Sequence, residues 1–169
     1  MFAIVVVALG LLAAAIRAVS LKPEINLPYQ RVGSLLSAGE QRFKVSLDRA
    51  IPPTTTVMVK VRLAALIIVK KTVRGADWTR AFNKIRSKEI DFVLCDKDTL
   101  EVQCALELND SSHRYPHRQA RDEDLRIVLA SAGIPLIEVP VTREYDIEDI
   151  RARIAGITGG EGASRYALD

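Results

Sequence analysis

Residues 90–110 read IDFVLCDKDTLEVQCALELND, and the fold turns on this stretch. Two apolar runs, Ile90 to Cys95 and Val102 to Leu108, flank the turn-forming Asp96, Lys97, Asp98 and Thr99. Short apolar runs on either side of such a cluster predict a β-hairpin. Asp91 and Glu107 interrupt the runs. Strand side chains alternate between faces, which groups Asp91 with Val93 and Cys95, and Glu107 with Ala105 and Gln103. A hairpin turning around Thr99 then sets Asp91 opposite Glu107, within cross-strand reach.

Upstream of the hairpin, Leu35, Leu36, Phe43, Leu47 and Ile51 recur at helical spacing. Ser34 or Ser37 serves as cap, and Pro52 with Pro53 ends the helix, which carries Glu40. Val57, Val59, Val61 and Leu63 alternate with Met58, Lys60 and Arg62, the period of a strand. Residues 64–76 read either as more strand or as a short helix, and Asp77 caps a helical stretch through Trp78, Phe82 and Ile85. Downstream, Leu125, Val128, Leu129 and Ala132 mark a second long helix ending at Gly133. Pro135 to Pro140 is a short strand, and Ile147, Ile150, Ile154 and Ile157 mark a last helix. Helix, three strands, helix and strand make an α/β class with a central mixed sheet flanked by helices.

Two carboxylates brought together in a partly buried place repel, so they raise each other's pKa or recruit a cation. Their hard oxygens suit Mg²⁺ or Mn²⁺. Two readings stand: a metal site, or acids at strand edges that face water or pair with Arg and Lys. Asn109, Asp110, Ser111, Ser112, His113, Arg114, His117, Arg118 and Arg121 follow directly. That loop reads either as a solvated helix start or as a phosphate-binding cluster, with His113 better placed than His117 to take part. Beside a metal that activates water, such cations meet the needs of phosphodiester hydrolysis.

The first sixteen residues, MFAIVVVALGLLAAAI, carry no charge, and Arg17 and Lys22 follow them. A cleaved signal would want a positive charge ahead of the run. With Ala18 to Leu21 the segment reaches about 20 residues, the length needed for a bilayer core. The expected organisation is a transmembrane anchor over 1–21, a proline-containing linker over 22–33, one α/β domain over 34–157 and a flexible tail over 158–169. Cations after the apolar run put the domain on the cytoplasmic side of a bacterial inner membrane, in a single-pass arrangement. A cleaved signal and a buried core helix are the other readings of the run. Net charge is +3, too small to establish a polyanionic partner. The two cysteines, Cys95 and Cys104, read as small apolar strand residues.

The ordered set SLLSAGEQRF, KVRLA, IDFVLCD, ALELNDSSH and RDEDLRIVLASAGIPLIEV resembles a bacterial, membrane-anchored domain-of-unknown-function family, DUF family 2726. That family is in turn similar to the PD-(D/E)xK, restriction-endonuclease-like phosphodiesterases, especially those resembling very-short-patch-repair endonucleases. The resemblance covers residues 34–140 and implies a nuclease-like core acting on nucleic acid, DNA above all. It implies that Asp91 and Glu107 bind Mg²⁺ or Mn²⁺ with help from the Leu108 carbonyl, and that Glu40 approaches them. Asn109 takes the place of the motif lysine, and Lys60, His113 or Asp110 stand in for it. Arg114, Arg118 and Arg121 then track the phosphate backbone. An amide positions water but cannot take its proton near neutral pH. This opens a second reading, a degenerate nuclease fold that binds nucleic acid or a protein partner without cleaving. A third is a structural accessory of a membrane complex in which the two acids are merely salt-bridged.

Overall fold

The computed structural model describes residues 27–109 and 116–158. The chain divides into two compact units, residues 1–33 and 34–169. The expected anchor over 1–21 lies outside the described residues, as does the tail from Gly159. Among the described residues no helix is long and apolar enough to cross a membrane.

The second unit opens with α1, Ala38–Ala50. Ser37 caps it: its hydroxyl accepts from the Glu40 amide at 3.3 Å, while Glu40 Oε2 accepts from the Ser37 amide at 2.7 Å. This reciprocal box settles two helix-end N–H groups and fixes where α1 begins. Phe43, Leu47 and Ala50 form its buried stripe. The strands are β1, Thr55–Arg62; β2, Glu89–Asp96; β3, Val102–Asn109; and β4, Leu136–Pro140. Two helices separate β1 from β2: α2, Leu63–Leu66, and α3, Gly75–Ile85. α4, Pro116–Ser131, links β3 to β4, and α5, Ile147–Thr158, closes the order.

The sheet runs β1-β2-β3-β4, with the first two pairings antiparallel and the last parallel. A parallel pair needs a crossover, which α4 supplies. One face packs Phe92, Leu94, Leu106, Ile137 and Val139 against Phe43 and Leu47 of α1 and Ile150 and Ile154 of α5. The other packs Val93, Ala105 and Ile90 against Leu63 of α2, Ile85 of α3 and Leu129 of α4. Covered on both sides, β2 is almost wholly buried from Ile90 to Cys95, which is why its sequence is nearly continuous in apolar residues.

Several boundaries differ from the sequence reading. α3 starts at Gly75, whose φ of +56° turns the chain, and its cap residue Arg74 makes no side-chain bond. Asp77 lies in the first turn and pairs with Arg80, where an acid also favours the helix dipole. α4 begins at Pro116, nine residues before the first apolar marker, because proline suits the first helical position. Residues 64–76 resolve into the rest of the α2 turn, irregular chain over 67–74 and the start of α3. Strict alternation also fails near the hairpin turn, where a bulge shifts the β2–β3 register between Leu94 and Cys95. Both cysteines are free and buried, and burial pushes the Cys104 thiol up to about 12, with Cys95 adding to the effect.

Candidate functional site

Four charged residues from four strands lie in one row across the sheet. Val59 pairs with Phe92 and Val61 with Ile90, which sets Lys60 beside Asp91. Continuing the pairing of Phe92 with Leu106 sets Asp91 beside Glu107, and Glu107 pairs with Glu138 on β4. The row thus reads Lys60, Asp91, Glu107, Glu138.

Asp91 sits where β2 and β3 part. The last paired residues of this ladder are Phe92 and Leu106, and beyond them the Leu108 amide donates to Asp91 Oδ2 at 3.1 Å. A side-chain carboxylate thus does what a backbone carbonyl does elsewhere in the ladder, sparing a half-buried N–H from going unmet. Asp91 Oδ1 accepts from Lys60 Nζ at 2.8 Å, and the same ammonium donates to Glu40 Oε1 at 2.6 Å. Glu40 therefore serves twice, one oxygen capping α1 and the other holding Lys60. The three side chains are 15%, 25% and 16% exposed for Glu40, Lys60 and Asp91, so the bonds are only weakly screened.

The backbone explains how Lys60 reaches both acids. Lys60 has φ +52°, in the left-handed region that side chains disfavour. Val59 and Phe92 pack into the α1–α5 core, whereas Val61 and Ile90 pack into the opposite one. Both strands therefore change face at the Lys60–Asp91 pair. The expectation that Asp91 simply shares a face with Val93 and Cys95 gives way here, since alternation is broken at this position. Glu107 keeps its alternation: Leu106 and Leu108 flank it in the α1–α5 core, and Ala105 lies in the other. Its Oε1 is buried. Asp91 is bonded to Lys60 and to the Leu108 amide, and Glu107 is its neighbour in the row on β3.

Electrostatics follow from these contacts. Burial pulls the Lys60 pKa down, but the bonds to Asp91 and Glu40 and their charges outweigh it and leave it raised. Lys60 is thus an ammonium, a donor and not a base. Burial likewise opposes ionisation of Glu40, and the bonds from Lys60 and Ser37 overcome it, holding the carboxyl below its ordinary value.

At the other end of the row, Asn109 Nδ2 donates to Glu138 Oε1 at 2.9 Å. Arg126 of α4 grips the same carboxylate with two bonds, Nε to Oε2 at 2.9 Å and Nη2 to Oε1 at 2.7 Å. The guanidinium, against some burial and with help from Asn109, keeps the Glu138 pKa low. Sequence reasoning missed Glu138 and Arg126, yet Glu138 carries the signal that singled out Asp91 and Glu107: an acid inside a short apolar strand.

The structure therefore brings together Glu40, Lys60, Asp91 and the Leu108 amide, and separately Asn109 with Glu138. His113, Arg114 and Asp110 lie outside the described residues. Arg118 and Arg121, like His117 and Asp122, fall on α4, but their side chains are outside what is described. Among the described residues no three His, Cys, Asp or Glu side chains are grouped as ligands for a metal ion. The carboxylates of the row, Asp91, Glu107 and Glu138, offer hard oxygens, the chemistry that Mg²⁺ accepts from one or two carboxylates while keeping its waters.

No curated protein and no solved structure matches this chain. A family model does match, over residues 32–157, which takes in the whole sheet and the helices that cover it. The chain belongs to that family, described as Protein of unknown function (DUF2726).

Proposed function

We propose that this is a membrane-tethered, nuclease-like domain that engages nucleic-acid phosphodiesters, DNA first, with Mg²⁺ or Mn²⁺ held by Asp91 and Glu107. The tether is the apolar segment 1–21, with the domain on the cytoplasmic face of a bacterial inner membrane. The observation that carries the reading is the Asp91 carboxylate at the parting of β2 and β3, fixed by Lys60 and the Leu108 amide one strand from Glu107. With α2, α3 and α5 set aside, the order helix, three antiparallel strands, helix and parallel strand is the one expected for the restriction-endonuclease-like core, an argument from likeness of fold.

The metal would supply a water of lowered pKa and neutralise charge on the phosphate. The residues of this chain do the rest. Asp91, Glu107 and the Leu108 carbonyl are its ligands, and Glu40 holds Lys60 at the rim. Lys60, kept charged, donates toward a phosphoryl oxygen or the attacking water; as an ammonium it cannot take the water's proton. Asn109 positions a water through its amide oxygen while Glu138 holds the amide nitrogen. Arg114, Arg118 and Arg121 follow the backbone phosphates, and such contacts weaken as salt rises.

The test is cleavage of plasmid and oligonucleotide substrates by the full chain in detergent, with Mg²⁺ or Mn²⁺. Cleavage lost in Asp91→Ala supports the proposal. Absence of cleavage together with no heat of metal binding by calorimetry sinks it. A second reading, binding without hydrolysis, is favoured by one observation: Asn109 is already committed to Glu138, and no lysine stands at that position. Cleavage gained by Asn109→Lys or Asn109→Asp would mark a scaffold one charge short of activity, whereas DNA binding without cleavage in all three proteins favours the binder.

A further inference from the structure

Away from the row of acids, the chain between α2 and α3 carries a different chemistry. Ile68 is 79% exposed and Trp78 is 41% exposed. Between them stand Lys70, Lys71 and Arg74, all exposed and in no ion pair among the described residues. From Lys70 to Lys84 five cations, Lys70, Lys71, Arg74, Arg80 and Lys84, face a single acid in the sequence, Asp77, which Arg80 already holds.

This stretch is held in place. Val69 and Phe82 pack against the core on the α3 side of the sheet, and the Val73 amide donates to the Lys70 carbonyl at 3.0 Å, closing a tight turn. Trp78 stacks on Phe82, ring centres 5.0 Å apart and planes 13° from parallel, so its half-exposed ring is fixed by packing from beneath. An aliphatic side chain left almost fully in water, an amphipathic indole and unpaired cations make up the composition that suits a lipid-water boundary. Nucleic acid would use the cations and stack on the indole, but it offers nothing to Ile68.

We propose that residues 67–84 form a docking face for an anionic lipid bilayer. Ile68 and Trp78 enter the headgroup region, and Lys70, Lys71 and Arg74 meet the lipid phosphates. The face stands on its own chemistry and does not depend on whether the row of acids cleaves anything. Docking would hold the domain against the bilayer surface and favour anionic over neutral membranes, by roughly fivefold in the docked-to-free ratio for each cation engaged.

Trp78 is the chain's only tryptophan, so its fluorescence reports on this face alone. The full chain is reconstituted into vesicles of phosphatidylcholine, with or without phosphatidylglycerol, and quenching by brominated acyl chains is recorded. The expected result is blue-shifted emission and bromine quenching only where phosphatidylglycerol is present, reversed by salt and lost in the Lys70→Glu, Lys71→Glu double variant. Ile68→Ser should weaken quenching while keeping the salt dependence. Equal emission in neutral and anionic vesicles overturns the proposal, as does a lipid response that survives the double variant. A shift caused by an oligonucleotide but not by anionic lipid also overturns it and assigns the face to nucleic acid.

Discussion

Strand β2 bears an aspartate near each end, and the two are used in opposite ways. Asp96 closes its own turn: Oδ1 accepts from the Asp98 amide at 3.0 Å, the Thr99 amide at 2.8 Å and the Thr99 hydroxyl at 3.0 Å. Those bonds, the Thr99 amide foremost, lower its pKa. Asp91 accepts from a residue 17 positions ahead and another 31 positions behind. Each end also contains one left-handed residue, Leu100 in the turn at φ +60° and Lys60 beside Asp91 at φ +52°. At the turn the left-handed residue ends a hairpin loop, a position usually given to glycine. At the row it redirects two strands and aims a cation at two acids. Local hydrogen bonding marks a structural carboxylate, and bonding that exists only once helix and sheet have assembled marks a candidate for function.

The contrast is broken most directly by removing Asp91. Asp91→Ala leaves the Lys60 charge half-buried with one partner and the Leu108 amide unmet, and should cost about 3 kcal/mol in urea unfolding. Asp96→Ala, by comparison, should lower the unfolding midpoint by less, because its three bonds are made within an exposed turn. Lys60→Met comes next, at about 2 kcal/mol after allowing for its partial exposure, because Glu40 and Asp91 are then left facing each other. Calorimetry should show Mg²⁺ binding more tightly to this variant, since the resident ammonium no longer competes for Asp91; unchanged or weaker binding would separate Lys60 from the metal site.

The pH dependence sharpens the same point. The Lys60 pKa is raised on folding, so its stabilising contribution is whole below the ordinary lysine value of 10.5 and is lost as pH climbs through the higher folded value. The Glu40 pKa is lowered, so its contribution is whole above the ordinary 4.5 and is lost as pH falls through the lower folded value. The stability gap between the parent chain and Lys60→Met should therefore stay flat between those limits and narrow beyond each. A gap that changes steadily across neutral pH would count against the triad. The smallest effect belongs to the turn: Leu100→Gly should stabilise by roughly 0.5 kcal/mol, because glycine meets the left-handed backbone without steric cost.

Much of this was legible in the sequence because the signals were local. The hairpin, the Ser37 cap and the alternation in β1 each depend on neighbours a few residues apart, and each element stands near its expected place. The pairing of Asp91 with Glu107 needs the bulge as well as the turn, since the register at Cys95 and Val102 shifts by one residue before it reaches Phe92 and Leu106. Lys60 could be suspected only as one lysine on an alternating strand. Its left-handed backbone and its bonds to Glu40 and Asp91 come from tertiary packing that periodicity cannot encode. Glu138 and Arg126 went unseen for a similar reason, since α4 and β4 meet β3 only after the crossover closes. The start of α4 at Pro116 was hidden because its first turns carry no apolar stripe.

Lys60 has one more effect, which concerns the outer margin of the sheet. Among the described residues β1 is an edge strand of eight residues, with no strand paired on its outer side. A left-handed residue near its far end breaks the straight run a second strand would need, and a charge directed inward opposes such pairing further. The residue that arms the candidate site is thus also of the kind that discourages sheets from adding edge to edge into fibres.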